Sequence, residues 1–227
     1  MTRASIEIGP RTVGDGHPCY VIAEAGSNHN RNRDMARRLI DAAVAAGADA
    51  VKFQTFTGRT LYSTKAPRFE YLADVSDKPP AELLEELELP RDWQPTLAAH
   101  ARDQGIEFLS SPFDRQAVDE LDELDVGAFK IASFELVDLP LIRYMGAKGR
   151  PVVLSTGMAT MGEIEEAVAA AREGGTDQVA ILQCASLYPA PPSAMNLRTI
   201  ATPTAAFGIP VGLSDHTLGT HVAPAAI

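Results

Sequence analysis

Val211-Gly212-Leu213-Ser214-Asp215-His216-Thr217 is a short apolar run that ends in a hydroxyl, a carboxylate, an imidazole and a second hydroxyl. Consecutive apolar positions describe a strand buried on both faces, and polar groups gathered at its end describe a place where chemistry is done. The same plan recurs upstream. Cys19-Tyr20-Val21-Ile22-Ala23-Glu24-Ala25-Gly26, Ala50-Val51-Lys52-Phe53-Gln54-Thr55-Phe56 and Glu107-Phe108-Leu109-Ser110-Ser111-Pro112 are such runs. So are Ala128-Phe129-Lys130-Ile131-Ala132-Ser133, Pro151-Val152-Val153-Leu154-Ser155-Thr156-Gly157 and Val179-Ala180-Ile181-Leu182-Gln183-Cys184-Ala185-Ser186.

Amphipathic helices with end signals lie between the runs. Asp34 to Ala46 places Met35, Leu39, Ile40 and Ala43 at helical spacing and stops at Gly47, a residue suited to a helix C-terminus. Asp114 precedes Ala117, Val118, Leu121 and Leu124; Asp138 precedes Leu141, Ile142 and Met145; Thr160-Met161-Gly162-Glu163 fits a capping box. A helix begun near Asp92 and ending at Gly105 carries Pro95 in its first turn, where proline is tolerated, and Pro203 marks a short helix begun near Thr202.

Strand, helix, strand over Tyr20 to Phe56 is a right-handed crossover by default. Repetition of that unit predicts an α/β protein, either a doubly wound sheet or a (β/α)8 TIM barrel with about seven βα units that lacks its last strand. Glu24, Gln54, Ser110, Ser133, Ser155, Ser186 and Asp215 stand at strand ends. A barrel gathers all such ends around one mouth, whereas an open sheet gathers them only at its switch point. No Gly-x-Gly-x-x-Gly follows a strand, so the barrel is expected, as one domain over residues 1–227.

The longest connection, Thr57 to about Arg91, carries Tyr62, Lys65, Arg68, Tyr71 and an acidic helical piece from Ala81 to Leu89. A lid, an oligomer contact and a solvated surface helix are all open readings of it. Lys and Arg total 20 against 30 Asp and Glu, a formal net charge of -10, which argues against nucleic acid or an anionic membrane as a partner. No run approaches the roughly 18 apolar residues of a membrane helix, and Met1 to Pro18 lacks a signal-peptide pattern, so a cytoplasmic protein is expected. Cys19 and Cys184 have no metal-type spacing and are assigned no bond.

Seven segments in order carry a family resemblance. They are Ile22-Ala23-Glu24-Ala25-Gly26-Ser27-Asn28-His29-Asn30, Val51-Lys52-Phe53-Gln54, Ser110-Ser111-Pro112-Phe113-Asp114, Phe129-Lys130-Ile131-Ala132-Ser133, Ser155-Thr156-Gly157-Met158, Tyr188-Pro189-Ala190-Pro191 and Gly212-Leu213-Ser214-Asp215-His216-Thr217. Together they resemble the sialic acid synthase family, which includes the N-acetylneuraminate, legionaminate and pseudaminate synthases. Ala132-Ser133-Phe134-Glu135 and Tyr188-Pro189-Ala190-Pro191-Pro192 are similar to pseudaminate-type and spore-coat-type members.

The resemblance implies a (β/α)8 barrel that condenses phosphoenolpyruvate with an N-acetylated amino sugar such as N-acetylmannosamine and releases phosphate. It also implies a divalent metal, manganese or magnesium, at the barrel mouth. By the same resemblance Lys52 binds phosphoenolpyruvate, with Ser111, Ser133, Ser155 and Ser214 as hydroxyl donors and Ser186 where members often have asparagine. Gln54, Glu135 and Tyr188 hold the sugar, Glu24 is the general acid/base, and His216 is a metal ligand. A buried carboxylate at Glu24 would have raised proton affinity, which suits that work. Independently, a buried lysine in an acidic chain needs an anionic partner, which for Lys52 is a ligand or an internal ion pair with Glu24 or Glu135. His29 and Asn28 are expected to build the turn of the first loop.

Family members continue into an eighth strand ending in a Glu-Lys-His-Phe-like motif, whose histidine is the second metal ligand, and an antifreeze-like domain that reaches into the partner's site. A homodimer of the full-length form is therefore implied. The sequence ends at Ile227, before both, so an incomplete barrel with weak metal occupancy is expected. Two other classes stay open: a Schiff-base aldolase using Lys52 or Lys130, and a non-catalytic truncated barrel.

Overall fold

In the computed structural model, which describes residues 4–63, 65–67 and 78–227, all seven apolar runs form strands that pair in parallel with sequence neighbours. Arg68 and Tyr71 of the long connection lie outside the described residues. The chain divides into two compact units, one of Met1–Cys19 and Gly127–Ile227, the other of Tyr20–Val126.

The chain opens with a hairpin, β1 (Ser5–Ile8) against β2 (Arg11–Gly14), which sequence reading passes over as a polar opening. Ile6 and Ile8 are buried while Ser5 and Glu7 face out, and the Glu7 N–H donates to Gln178 Oε1 at 2.8 Å. The alternation of the two isoleucines was the available signal, but it spans only four residues.

In Tyr20–Val126 the order is β3 (Ile22–Gly26), α1 (Arg33–Ala45), β4 (Ala50–Thr55), α2 (Gly58–Leu61), α3 (Pro80–Leu87), α4 (Gln94–Asp103), β5 (Glu107–Pro112) and α5 (Arg115–Glu123). Asn32 caps α1 by accepting from the Met35 N–H, and Asp114 caps α5 by accepting from Ala117, each satisfying an otherwise orphaned amide. A 3-10 turn at Arg91–Trp93 leads into α4 and leaves Pro95 in its first turn. Arg91 bridges Asp114 and Glu120, tying the start of α4 to α5. The long connection folds back as a helical pair: a Cβ on Gly58 would lie 2.6 Å from the Glu85 backbone nitrogen, so α2 and α3 meet backbone to backbone.

The second half of the chain continues with β6 (Phe129–Ile131), α6 (Leu139–Gly146), β7 (Val152–Ser155), α7 (Met161–Gly174), β8 (Val179–Cys184), α8 (Ala201–Phe207), β9 (Val211–Ser214) and α9 (Val222–Ala225). Asp138 accepts from the Leu141 N–H at α6, and Thr160 with Glu163 completes a reciprocal capping box at α7. Helices α6 and α7 approach through glycine: a Cβ on Gly146 or on Gly174 would lie 2.3 Å from the backbone oxygens of Ala171 and Arg143 respectively. No described helix is long and apolar enough to cross a membrane.

Candidate functional site

Register and the alternation of side chains decide which residues share a face. Glu24 pairs with Lys52 across β3 and β4, and Gln54 pairs with Ser111 across β4 and β5, so these four share one face of the Tyr20–Val126 unit. Phe53, Thr55, Phe108 and Ser110 fall on the other face. There the Phe53 and Phe108 rings stack at 5.5 Å, and Thr55 bonds Ser110 (2.8 Å) and Gln94 Oε1 (3.0 Å) in a buried knot at the start of α4. Ser110 therefore belongs to this buried knot, and Ser111, 2% exposed, lies on the face of Lys52 and Gln54.

Lys52 is 8% exposed and forms an ion pair with Glu24, whose side chain is 48% exposed. The burial expected of Glu24 is not found. Among the described residues strand β3 pairs with β4 alone, and its strand-end carboxylate reaches solvent as well as the lysine. Ser27 Oγ lies 3.4 Å from Gln54 Oε1. His29 builds the turn, as expected: it is fully buried, its Nδ1 accepts the Arg31 N–H at 3.0 Å, and its carbonyl accepts from Asn32. Its pKa is lowered by burial and by the nearby Arg31 charge.

In the other unit, Lys130, Ser155, Cys184 and Ser214 share one face of β6 to β9 by register. Lys130 is 6% exposed, and its ammonium donates to Ser155 Oγ at 2.6 Å and to the Ile131 carbonyl at 2.7 Å. Beyond the strand ends, the Gly157 N–H donates to Ser133 Oγ at 3.1 Å, and Ser133 Oγ lies 3.1 Å from Cys184 Sγ. A Cβ on Gly157 would sit 2.3 Å from Ser186 Oγ, 2.7 Å from Cys184 Sγ and 3.0 Å from Ser133 Oγ. Only glycine lets these three groups close over one backbone position. The Ser186 hydroxyl is buried there with no hydrogen-bond partner.

Glu135 lies on the 3-10 turn Ser133–Val137 that follows β6. Its Oε2 is buried with no partner, and burial pushes its pKa up to about 7 against the opposing pull of its own backbone N–H and of Lys130. Ser214 and His216 stand together, with Oγ 3.4 Å from Nε2, while the Tyr188 and His216 ring centroids are 4.5 Å apart. His216 Nδ1 lies 3.0 Å from the Ala185 carbonyl, an acceptor only, so Nδ1 carries a proton and donates.

That orientation is the one a metal-ligating histidine takes, with Nε2 able to offer its lone pair. It is a single donor, however, and the described residues hold no group of three His, Cys, Asp or Glu side chains placed to bind a metal ion. The described residues thus do not make a metal site, and no chemistry is routed through a metal here.

Sequence reading takes Lys130 only as a Schiff-base amine, whereas the structure buries it on the face that carries Ser155. The signal was available, because Lys130 occupies the same place in its apolar run as Lys52 does in its own. Cys184 and Gly157 carried no such signal, since their closeness to Ser133 and Ser186 arises from three separate loops.

The family model that describes the NeuB family matches residues 39–227. This chain belongs to the NeuB family. It is 40% identical to the N,N'-diacetyllegionaminic acid synthase of Campylobacter jejuni, over 91% of this chain and 63% of that protein. It is likewise 40% identical to the spore coat polysaccharide biosynthesis protein SpsE of Bacillus subtilis, over 98% of this chain and 60% of that one. A crystal structure of the N-acetylneuraminic acid synthetase from Leptospira borgpetersenii superposes with a TM-score of 0.88 at 30% identity, covering 100% of this chain and 75% of the other. The chain spans about 60% of the length of the curated NeuB relatives it matches.

Proposed function

We propose that this chain is the (β/α)8-barrel part of a nonulosonic acid synthase, which condenses phosphoenolpyruvate with an N-acetylated aldose such as N-acetylmannosamine and releases phosphate. The observation that carries the reading is two buried lysines, Lys52 and Lys130, each within a parallel strand and each followed by strand-end hydroxyl or amide side chains. Buried ammonium groups in a chain of net charge -10 suit a small, densely anionic ligand. Phosphoenolpyruvate offers a phosphate and a carboxylate.

In this reading Lys52 binds phosphoenolpyruvate, Lys130 is a second buried cation suited to an anionic group, and Ser111, Ser133, Ser155, Ser186 and Ser214 are hydroxyl donors. Gln54, Glu135 and Tyr188 contact the sugar. Family resemblance would give Glu24 the acid/base work, although without ligand it is the charge partner of Lys52. His216 would be the one metal donor among the described residues, toward manganese or magnesium. Relatives named for legionaminic acid, pseudaminic acid and spore coat polysaccharide synthesis are all similar to this chain, and the acceptor is read as an N-acetylated aldose of that class. A cytoplasmic homodimer of the full-length form belongs to the same reading.

A Schiff-base aldolase must present a neutral amine to a carbonyl. Lys52 is ion-paired with a carboxylate and Lys130 donates to a carbonyl and a hydroxyl, so neither amine nitrogen is placed to attack a carbonyl. Calorimetric titration with phosphoenolpyruvate, followed by a phosphate-release assay with manganese and N-acetylmannosamine or a diacetamido aldose, tests the proposal. The expected result is binding that Lys52→Met and Lys130→Met each weaken at least about tenfold, and phosphate release that requires the aldose. A chain that binds no phosphoenolpyruvate, or that is trapped on lysine by borohydride with pyruvate, overturns it.

A further inference from the structure

Thr55 points away from Lys52 on β4 and bonds Gln94 at the first position of α4, so α4 lies against the sheet face opposite to the one that carries Lys52 and Gln54. Helix α1 packs beside it, and a groove of about 480 Å³ lies between the two helices. Arg33, Asp34 and Arg37 of α1 line one wall, and Thr96, Ala99, His100 and Asp103 of α4 line the other. That volume is within the range of about 300–1,000 Å³ usual for small-molecule sites.

The helices are joined at two places. Arg33 Nη2 donates to Thr96 Oγ1 at 2.8 Å, and Thr96 Oγ1 donates to the Trp93 carbonyl at 2.8 Å, so the guanidinium is positioned by a neutral hydroxyl. His100 Nε2 lies 2.6 Å from Asp41 Oδ1. The side chains of Asp34, Arg37 and Asp103 make no hydrogen bond or ion pair among the described residues. Two guanidinium groups and two carboxylates therefore line one groove without pairing. A guanidinium takes a carboxylate through a fork of two hydrogen bonds, and a carboxylate accepts from hydroxyl groups. A plain anion would be repelled by the aspartates and a plain cation by the arginines. The matching ligand carries a carboxylate at one end and hydroxyl groups along the rest.

We propose that the groove between α1 and α4 binds a carboxylate-bearing polyol of the class that the synthase reaction forms, an inference that rests on the synthase reading above for the identity of the ligand. Condensation of phosphoenolpyruvate with an N-acetylated aldose keeps the phosphoenolpyruvate carboxylate and the aldose hydroxyls in one molecule, which is the pattern the groove matches. Arg33 and Arg37, one helical turn apart on α1, take the carboxylate, and Asp34 and Asp103 take hydroxyls. The groove and the Lys52 face lie on opposite sides of β4, so product in the groove and phosphoenolpyruvate at Lys52 do not exclude each other.

The test titrates N-acetylneuraminate into the whole chain and follows the backbone amide resonances. Those of Arg37, Ala99 and His100 should shift and saturate with a dissociation constant on the order of 1 mM, as suits solvent-exposed charged contacts. Arg37→Ala should weaken this binding at least about fivefold while leaving phosphoenolpyruvate binding unchanged, the methyl ester of the ligand should bind at least about fivefold more weakly, and Lys52→Met should leave binding in the groove within about twofold. No saturable shift at these residues up to about 20 mM ligand, in a chain that still binds phosphoenolpyruvate, overturns the site and leaves the synthase reading in place. Equal shifts and affinity with acetate overturn the polyol class, since a bare anion then suffices. Resonances here that move with protein concentration alone overturn it in favour of a second copy seated in the groove. Saturation by N-acetylneuraminate in a chain that binds no phosphoenolpyruvate removes the synthase reading and keeps the groove as a sugar-acid site.

Discussion

Lys52 and Lys130 sit at equivalent places in two apolar strands, yet the protein treats them differently. Lys52 meets a carboxylate directly, whereas Lys130 is held by the Ser155 hydroxyl and the Ile131 carbonyl while Glu135, farther along, keeps an oxygen buried and unpartnered. The difference follows from where each carboxylate stands. Glu24 is opposite Lys52 in register on a strand that, among the described residues, pairs with β4 alone, so contact and solvent access come together. Glu135 is carried past the end of β6 onto a turn packed against α7 and β7. One lysine has a carboxylate as its direct partner; the other is held by a hydroxyl and a carbonyl, with a carboxyl nearby whose proton affinity is raised by burial.

The hydroxyl arrangement is the easier of the two to break. Gly157→Ala would force a methyl into Ser186 Oγ, Cys184 Sγ and Ser133 Oγ at once, and three short side chains would have to turn away together. A loss of about 3 kcal/mol in urea denaturation is expected, with phosphoenolpyruvate binding weakened as Ser133 and Ser186 are displaced. An unchanged midpoint would show that these loops separate without cost.

Glu135→Gln should separate the two carboxylates by pH. The folded-state pKa of Glu135 is raised from 4.5 to about 7, so its contribution to stability is complete below pH 4.5 and is lost as pH rises through 7. Glutamine has no such loss. The variant should match wild type at pH 4 and exceed it by about 2 kcal/mol at pH 8, discounted for partial solvent access. A difference that does not vary with pH would mean that the carboxylate finds a partner when it ionises.

The Glu24–Lys52 pair makes a smaller and asymmetric prediction. Glu24→Gln leaves a buried ammonium without its counter-charge, whereas Lys52→Met leaves a carboxylate that water already reaches. The first should cost about 1.5 kcal/mol and the second less than about 0.5 kcal/mol. Equal costs would indicate that the pair behaves as a surface ion pair.

These contrasts were unequally legible in the sequence. Asp114, Asp138 and the Thr160–Glu163 box were readable because a cap is a local interaction within four residues, and each is present. All seven strands were readable from apolar runs; β5 keeps the bounds of its run, and the other six are shorter than theirs by one to three residues. The β1–β2 hairpin was not, because two isoleucines are too few to establish a period. Exposure of Glu24 and burial of Glu135 were unreadable for a different reason. Burial depends on which elements cover a residue, and both glutamates lie in comparable apolar-then-polar contexts. The gathering of Ser133, Cys184 and Ser186 over Gly157 joins residues up to some fifty positions apart and leaves no local trace.

His29 turns the comparison into a test between the units themselves. Its Nδ1 must stay unprotonated to accept the Arg31 N–H, and this bond closes a turn in which Asn30 and Arg31 both take positive φ, 48° and 52°. Such conformations are costly for residues other than glycine and persist only where surrounding bonds impose them. Burial and Arg31 lower the His29 pKa, so its contribution is present above pH 6.5 and is lost as pH falls through the depressed folded value. That sign is opposite to the sign for Glu135. Amide hydrogen exchange, corrected for its intrinsic pH dependence, should show protection at Arg31 and Asn32 falling by about threefold to tenfold on acidification, with the turn Ser133–Val137 losing protection on alkalinisation instead. If both segments respond in the same direction, one of the two buried groups is not in the protonation state that its hydrogen bonds require.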